Sequence, residues 1–468
     1  MLEGLEISEV MLSVVKSSID DFRIHSEFFK KEFISNAIKL LSIDSNPMNS
    51  YAKISDGDHA KFPDNQTEEI RYLQARDINN NFLEITSNSF VSKSYLEKNK
   101  RSKILGEDIL ISIMGTVGDI TILPKDFEPA MCNRALAIIK NVKGISPQYL
   151  FTYLTSKIAS LELERLKNGG VQQRLNLDVL GKIRIPKLHK TFQKEIENLV
   201  FVAQQVRKNS KFTYTQAEQI LLQELNLDTF QPSQEPVNVK SFSESFGCSG
   251  RLDAEYYQVK YDELEEQIKS GSFVSIKDIR TDNFRGLQPK YVEDGDLDII
   301  NSKHILEQTL DYDNFEKTSS AYWNEQERAR VFKNDILTYT TGANIGRTQV
   351  YCIDKKALAS NHVNILRLNA GYNPQYIGFV INSLIGRLQT EKLSAGSAQA
   401  ELYPKDIDNF LIPIIDQDKQ QKIADLVEKS FTLKKQSEHL LEVAKQGVEI
   451  AIEQDEETAL KFIKDNGT

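Results

Sequence analysis

The sequence has no apolar run near the roughly eighteen residues that cross a bilayer, which excludes a helical membrane protein. Its start, MLEGLEISEVML, has neither a basic opening nor a continuous apolar core, so no signal peptide is read and a cytoplasmic protein is expected. Cysteine is scarce: Cys132, Cys248 and Cys352 form no CxxC pair and leave one over, which argues against a disulfide framework and fits a reducing compartment. Histidine is scattered as His25, His59, His189, His304, His362 and His439, with no pair at helical ligand spacing, so no metal site is expected. Proline is limited to 12 residues, while 40% apolar and 27% charged content describe an ordinary folded chain. At 468 residues it is too long for one core, and two or more domains are expected. The formal charge of −9 argues weakly against a polyanionic ligand, because phosphate contacts depend on local basic clusters.

What is present is organised around residues 192–227, which contain neither proline nor glycine and therefore nothing that breaks a helix. Apolar or small residues recur at Phe192, Ile196, Leu199, Ala203, Val206, Ser210, Thr213, Ala217 and Ile220, the alternating four-and-three spacing of a coiled-coil seam. Ile423, Leu426, Ser430, Leu433, Ser437, Leu440, Ala444 and Ala451 follow the same rhythm near the C-terminus, so the two helices are expected to pair.

Each helix closes one half of a tandem duplication. Arg23-Ile24-His25-Ser26-Glu27-Phe28-Phe29 matches Arg251-Leu252-Asp253-Ala254-Glu255-Tyr256-Tyr257, and Asp108-Ile109-Leu110 matches Asp335-Ile336-Leu337. Gly115-Thr116-Val117-Gly118 matches Gly342-Ala343-Asn344-Ile345-Gly346, Asn133 matches Asn361, and Pro147-Gln148-Tyr149 matches Pro374-Gln375-Tyr376. Gly169 then matches Gly396, and Ile185-Pro186 matches Ile412-Pro413. The displacement stays near 342 − 115 = 227, far from a short-period solenoid. Residues 40–102 and 276–330 have drifted, although both hold polar, glycine-containing loops; a shared scaffold with divergent loops can present two recognition surfaces.

Within a half, residues 109–113, 120–123 and 135–139 read as strands around the glycine turn, and 336–339, 349–353 and 363–368 repeat them. Ser146-Pro147 and Asn373-Pro374 place an N-cap before a first-turn proline. An amphipathic helix is expected after each, then a glycine-marked loop at 167–176 or 394–403, a short strand ending in Ile-Pro, and the long helix.

Several constellations imitate catalytic sites. The glycine turns lack the spacing of a nucleotide loop and no Lys-Ser/Thr follows, so a tight strand connection is the better reading. Asn373-Pro374-Gln375-Tyr376 looks like an amino-methyltransferase tetrapeptide, but its repeat mate Ser146-Pro147-Gln148-Tyr149 lacks the Asn and both start helices. Pro63-Asp64 with Glu69 and Arg71 imitates a nuclease metal site that the second half does not repeat. Phe28-Phe29 and Tyr256-Tyr257 read as core or packing residues before base-stacking platforms.

In the order and duplication of these features the chain resembles the specificity subunits of type I restriction-modification systems over nearly its whole length. The resemblance implies an α/β (α+β) protein with two pseudo-repeated globular target-recognition domains, separated by two long helices packed as an antiparallel coiled coil. It places the domains at residues 1–190 and 233–415 and the spacer helices at 191–232 and 416–468. It implies a non-catalytic subunit that binds double-stranded DNA at a bipartite, asymmetric target. Its partners would be two modification (methyltransferase) subunits, which carry S-adenosylmethionine, and restriction/translocase subunits. The chain itself would bind no cofactor. A helix of about 35 residues is roughly 50 Å long and exceeds one turn of B-DNA, about 34 Å. It is thus long enough to hold two heads on one duplex.

Candidate DNA contacts follow from loop position and chemistry. Gln172, Gln173 and Arg174 in one half, and Ser397 and Gln399 in the other, carry groups that read purine edges. Asn133, Arg134, Asn361 and His362 open a strand; Lys53, Asp58, His59, Arg285, Gln288 and Lys290 lie in or beside the divergent loops; Thr116, Thr341, Asn344 and Arg347 lie in or beside the glycine turns. Partner and coiled-coil contacts are expected at Ile196, Leu199, Val206, Ile220, Ile423, Leu426, Leu433 and Leu440. The alternative is a self-contained methyltransferase or nuclease with fused specificity domains, against which stand the missing cofactor loop and the lack of a spare domain. A coiled-coil dimeriser would not require two heads with divergent loops.

Overall fold

The computed structural model describes residues 9–11, 26–60, 69–86, 88–168, 173–394 and 400–467. The chain divides into two compact units, residues 1–208 with 434–468, and residues 209–433.

Among the described residues, the first α-helix of unit 1 is α1 (Lys31–Ser42). Its strands are β1 (Ser45–Pro47), β2 (Lys53–Asp56), β3 (Ile70–Leu73), β4 (Ile78–Asn79), β5 (Phe82–Leu83) and β6 (Phe90–Val91). Helix α2 (Lys93–Lys98) is followed by β7 (Lys103–Ile104), β8 (Ile109–Ser112), β9 (Ile120–Ile122), β10 (Ala130–Cys132) and β11 (Leu136–Lys140). Helices α3 (Pro147–Thr155) and α4 (Lys157–Leu166), strand β12 (Arg184–Pro186) and the long helix α5 (Lys190–Glu224) complete the pattern. The strands form an antiparallel sheet in the order β2-β11-β8-β9, a mixed sheet β6-β3-β10-β7 with β3 and β10 parallel, and the pair β1-β12.

Unit 2 repeats this. Helix α6 (Val259–Lys269) precedes β13 (Phe273–Ser275), β14 (Arg280–Arg285), β15 (Leu297–Ile300), β16 (Glu316–Thr318), helix α7 (Tyr322–Glu325), β17 (Arg330–Val331), β18 (Ile336–Tyr339), β19 (Thr348–Val350), β20 (Ala357–Ala359) and β21 (Val363–Leu368). Helices α8 (Pro374–Asn382) and α9 (Leu384–Ser394), strand β22 (Leu411–Pro413) and helix α10 (Gln417–Glu453) follow; the end of α10 and helix α11 (Glu456–Asn466) belong to unit 1. Its sheets are β14-β21-β18-β19, β16-β15-β20-β17 and β13-β22, matching those three in order, while the small β4-β5 hairpin sheet of unit 1 is reduced in unit 2 to a single bridge, Ile305 to Leu310. The drifted segments therefore keep their pairing after losing their sequence likeness.

The helix expected after each capped proline is two helices. Ser156 is extended, with φ −68° and ψ 158°; its hydroxyl accepts from the Ala159 amide and caps α4 anew. Ser383 interrupts α8 and α9 in the same way, with φ −76° and ψ 179°. Asn373 Oδ1 accepts from the amides of Gln375 at 2.9 Å and Tyr376 at 3.3 Å, while the buried Tyr376 hydroxyl donates to Pro413 O at 2.8 Å. Tyr149 does the same to Pro186 O at 2.7 Å. The tetrapeptide that imitates a methyltransferase motif is thus a helix cap and an anchor for the Ile-Pro strand.

The long helices run antiparallel within each unit. In unit 1, Ile196, Leu199, Val200 and Ala203 pack in one core with Leu440, Val443, Ala444 and Val448; in unit 2, Ala217 and Leu221 share a core with Ile423 and Val427. Ser210 and Ser430 exchange hydrogen bonds, each hydroxyl donating to the other's backbone carbonyl at 2.8 and 2.9 Å, a contact only small side chains allow. The seam expected from the sequence is displaced by one residue in places. Val206, Ile220, Leu426 and Leu433 are half-buried, while Arg207, Leu221, Val427 and Lys434 are buried. A polar residue can occupy the buried row when a partner meets it, and counting apolar residues passes over such a position.

The aromatic pairs are packing elements. Phe28 and Phe29 meet edge to face at 4.9 Å with Arg165 over Phe28 at 4.1 Å, and Tyr256 and Tyr257 meet at 4.9 Å with Arg251 over Tyr256 at 4.4 Å. Arg23 lies outside the described residues.

Candidate nucleic-acid interface

One end of the four-stranded antiparallel sheet in each unit collects the connections singled out from the sequence. In unit 1 the β8–β9 connection turns at Gly115 and Gly118, whose φ values of 84° and 108° suit glycine. The Ser112 hydroxyl secures the turn by donating to Thr116 O and accepting from the Gly118 and Asp119 amides at 3.1 and 2.8 Å. The Ile113 amide donates to Ala135 O at 2.8 Å, and Met114 bridges Arg174, which exchanges backbone bonds with Asn168 at 2.7 and 2.8 Å. The Arg134 amide reaches Asp58 O at 2.8 Å. Thr116, Asn133, Arg134, Gln173, Arg174 and His59 are thereby gathered at one sheet end, with Arg134, Gln173 and Arg174 exposed.

Unit 2 rebuilds this end with the same backbone bonds. Gly342 and Gly346 turn at φ 111° and 86°, the Thr340 amide donates to His362 O at 3.1 Å, and Thr341 bridges Glu401. Gly286 donates to Val363 O at 3.0 Å, as Gly57 donates to Leu136 O at 3.0 Å. A Cβ on Gly57 would lie 2.2 Å from Asn133 O, and one on Gly286 would lie 2.1 Å from Ala359 O. Each glycine is thus required by close backbone approach at the mouth of the site.

These bonds correct one match. The amides of Asn133 and Ser360 make equivalent bonds, to Leu73 O and Ile300 O at 3.0 Å each, and Leu136 and Val363 then close on them. Asn133 therefore corresponds to Ser360, and Arg134 to Asn361. Likewise Arg174 corresponds to Glu401, so the two heads carry opposite charge at one position of the same frame.

Some candidates sit elsewhere or are already engaged. Asp58 is 7% exposed; its carboxylate accepts from the Tyr95 hydroxyl at 2.7 Å and the Tyr72 hydroxyl at 3.4 Å, so it braces the scaffold. Burial, then the bond to Asp58, pushes the Tyr95 hydroxyl up to about 12. Lys53 lies at the opposite end of β2, paired with Lys140, which bonds Arg101 O at 2.7 Å. His59 contacts Asp56 at 2.5 Å; burial opposes the Asp56 charge, but the His59 bond, a backbone bond and Arg101 together hold its carboxyl below the usual value. Arg285 donates to Leu402 O at 2.9 Å, lies 4.7 Å over the Tyr403 ring and 3.8 Å from Glu401, and keeps a buried Nε without a hydrogen-bond partner. The Tyr403 hydroxyl, opposed by slight burial and aided by Arg285, lowers the Glu401 carboxyl. Asn344, Arg347, Asn361 and His362 ring the second glycine turn, and Gln288 and Lys290 are exposed just beyond Gly286. Gln172, Ser397 and Gln399 lie outside the described residues.

The sequence reading passed over two basic features. The corner formed by α2 and residues 100–102 exposes Lys93, Lys98, Lys100 and Arg101. At the matching corner of unit 2, Trp323 has Arg330 and Lys356 each 5.1 Å from its ring. The interleaving of Trp and base becomes visible only when β17 and the approach to β20 come together.

The described members of the nuclease-like constellation are engaged in other contacts. Glu69 accepts from the Lys93 amide at 2.8 Å and Arg71 stacks on Phe90 at 4.8 Å, while Pro63 and Asp64 lie outside the described residues. No group of three or more potential metal ligands occurs, and no helix is long and apolar enough to cross a membrane, in the same residues.

The family model for the type I restriction modification DNA specificity domain matches residues 53–200 and 266–443, more than half of the chain. The specificity subunit of the type I restriction enzyme EcoBI from Escherichia coli is 26% identical over 136 residues, 29% of this chain; the aligned stretch spans 27% of that relative's length. Among solved structures, the S subunit of a type I restriction-modification system from M. genitalium overlaps at TM-score 0.41 and 12% identity, covering 90% of this chain and 96% of the other. The HsdS subunit from Thermoanaerobacter tengcongensis overlaps at 0.26 and 12%, covering 89% and 96%.

Proposed function

Because the chain belongs to the family of type I restriction modification DNA specificity domains, we propose that it is a specificity subunit that reads a bipartite, asymmetric double-stranded DNA target. Each unit reads one half-site with the sheet end that carries its glycine turn. The observation that carries this reading is the repetition of one backbone frame with unlike side chains, Arg174 in one head and Glu401 in the other. A frame kept for chemistry would keep its functional groups, whereas a frame kept for recognition keeps its shape and varies them.

In head 1, Thr116, Asn133, Arg134, Gln173, Arg174 and His59 are assigned to DNA, with Gln172 beside them; in head 2, Arg285, Gln288, Lys290, Thr341, Asn344, Arg347, Asn361 and His362 are, with Ser397 and Gln399. Lys53 and the corner lysines of α2 suit phosphates, because a lysine contributes charge without base specificity. Residues 1–190 and 233–415 are taken as the recognition domains, and 191–232 and 416–468 as spacers that dock two modification subunits. The chain carries no chemistry of its own. S-adenosylmethionine belongs to the modification subunits, and restriction/translocase subunits complete the complex in the cytoplasm. The self-contained enzyme is disfavoured because Asn373 and Tyr376 are committed to capping and anchoring.

Exchange of residues 277–330 for those of a relative tests this reading. The methylated motif should change in one half-site and keep the other; change in both would contradict independent heads.

A further inference from the structure

Unit 1 contains a buried ion cluster for which DNA contact gives no use. Arg207 of α5 occupies a seam position, 5% exposed, where helix pairing favours an apolar residue. Its Nη1 donates to Glu438 Oε1 of α10 at 2.9 Å, its Nη2 pairs with Glu84, and its guanidinium lies 4.6 Å over the Phe82 ring. Glu84 leaves the β4–β5 hairpin, whose turn residues Asn80 and Asn81 have φ of 48° and 64°. The Glu84 amide donates to Asp77 O at 2.8 Å, and its carboxylate also accepts from Asn79 Nδ2 at 3.0 Å. Asp77 is buried and accepts from the amides of Gln74 and Thr86 at 2.8 Å each. The hairpin is therefore stiff where Arg207 grips it.

Neighbouring positions of α5 reach the same head. Gln204 Nε2 donates to Ile122 O at 3.0 Å, and Lys208 pairs with Asp126 at 3.2 Å. Residues 204, 207 and 208 thus tie the helix to a strand, a hairpin and a loop of head 1. The hairpin arm of this tie is built differently in head 2. Asp311 is the structural mate of Glu84, since its amide donates to His304 O at 2.9 Å as that of Glu84 does to Asp77 O. The Asp311 carboxylate turns instead to Asn314 Nδ2, at 2.9 and 3.0 Å.

Burying a charge network is seldom the most stable filling for a helix seam, whereas a guanidinium gripping two carboxylates fixes direction. We propose that Arg207 is a positioning residue that sets the angle of the first reading head on the spacer helix, and thereby the gap length accepted between the half-sites. The inference rests on the specificity reading and adds to it the side chain that sets head geometry.

The test is co-expression with the cognate modification subunit and mapping of methylated adenines on a plasmid library in which the gap between the half-sites varies. Arg207→Lys keeps the charge and loses the fork. A triple variant, Arg207→Leu with Glu84→Gln and Glu438→Gln, removes the Arg207 grip without leaving either carboxylate unpaired, while the buried Lys434, whose charge also acts on Glu84, stays in place. Gln204→Ala with Lys208→Ala provides a milder pair should either disturb folding. Each should keep the bases of both half-sites while discrimination against gaps one base pair longer or shorter falls about tenfold or more, the scale on which small misplacements of positioned groups act. Unchanged gap discrimination in assembled complexes, or altered bases at unchanged gap, would overturn the proposal. If the unaltered chain directs methylation to no split motif, the specificity reading fails first, and that result is distinguishable from either.

Discussion

The two close-approach glycines offer the sharpest separation of one head from the other. In Gly286→Ala the new Cβ would stand 2.1 Å from Ala359 O and 2.6 Å from Ser360 O. In Gly57→Ala it would stand 2.2 Å from Asn133 O and 2.4 Å from Cys132 O. Carbon and oxygen in contact need a little over 3 Å, so one segment must yield by about 1 Å. The obstructing atoms are backbone and cannot rotate aside. The shift therefore passes into residues 133–134 or 360–362, where Arg134, Asn361 and His362 stand. Overpacking of this kind costs about 1–3 kcal/mol, within what a folded unit of this size tolerates. Methylation mapping on a library randomised in each half-site should show Gly57→Ala degrading selectivity at one half-site and Gly286→Ala at the other. The reasoning fails if either variant keeps wild-type thermal stability and wild-type selectivity at both halves, or if both degrade the same half.

The seam in unit 2 makes a second prediction: Ile423→Ala, fully buried, should lose about 2–4 kcal/mol in urea denaturation and Leu433→Ala, half-buried, less than about 1 kcal/mol. Equal losses would contradict the observed phase. Asp108 is pushed up to about 6, first by burial, while the Leu105 amide and Lys140 oppose the shift. A carboxyl raised on folding favours the native state below its unfolded value and loses that contribution as pH rises towards 6, so Asp108→Asn should raise the melting temperature at pH 7 and leave it nearly unchanged at pH 3. At neutral pH the gain is on the order of 1–3 kcal/mol, and a pH-independent effect would refute the cause. Tyr376→Phe strands Pro413 O in the core and should cost about 1–2 kcal/mol in stability, without abolishing methylation by the assembled complex. Loss of methylation in a folded, assembled variant would revive the methyltransferase reading of that tetrapeptide.

The duplication, the glycine turns, the capped prolines and the long helices were legible because each depends on local chemistry: φ above zero, a fixed proline φ, or the absence of breakers over 192–227. What resisted reading depends on distant partners. Arg207 in a seam makes sense only beside Glu84 and Glu438, far away in sequence. Ser156 looked like one more position of an amphipathic helix, yet its hydroxyl restarts the backbone. Matching Asn133 to Asn361 by identity missed by one residue what the bonds to Leu73 O and Ile300 O define. Asp58 resembled a loop contact because its two tyrosine partners come from a strand of another sheet and from helix α2. Residues 40–102 and 276–330 lost their side-chain likeness but not their strand order, since pairing needs backbone groups and alternation rather than identity. Candidate contacts were legible as loop chemistry, while the opposed charges of Arg174 and Glu401 required the bridges that align them.

The central claim is that this chain directs methylation without performing it. The direct measurement is to express it with and without a candidate modification subunit and to map methylated adenines across the host DNA. The account predicts methylation at one split, asymmetric motif only when both are present. Methylation by this chain alone, or a single continuous motif from the pair, would contradict it.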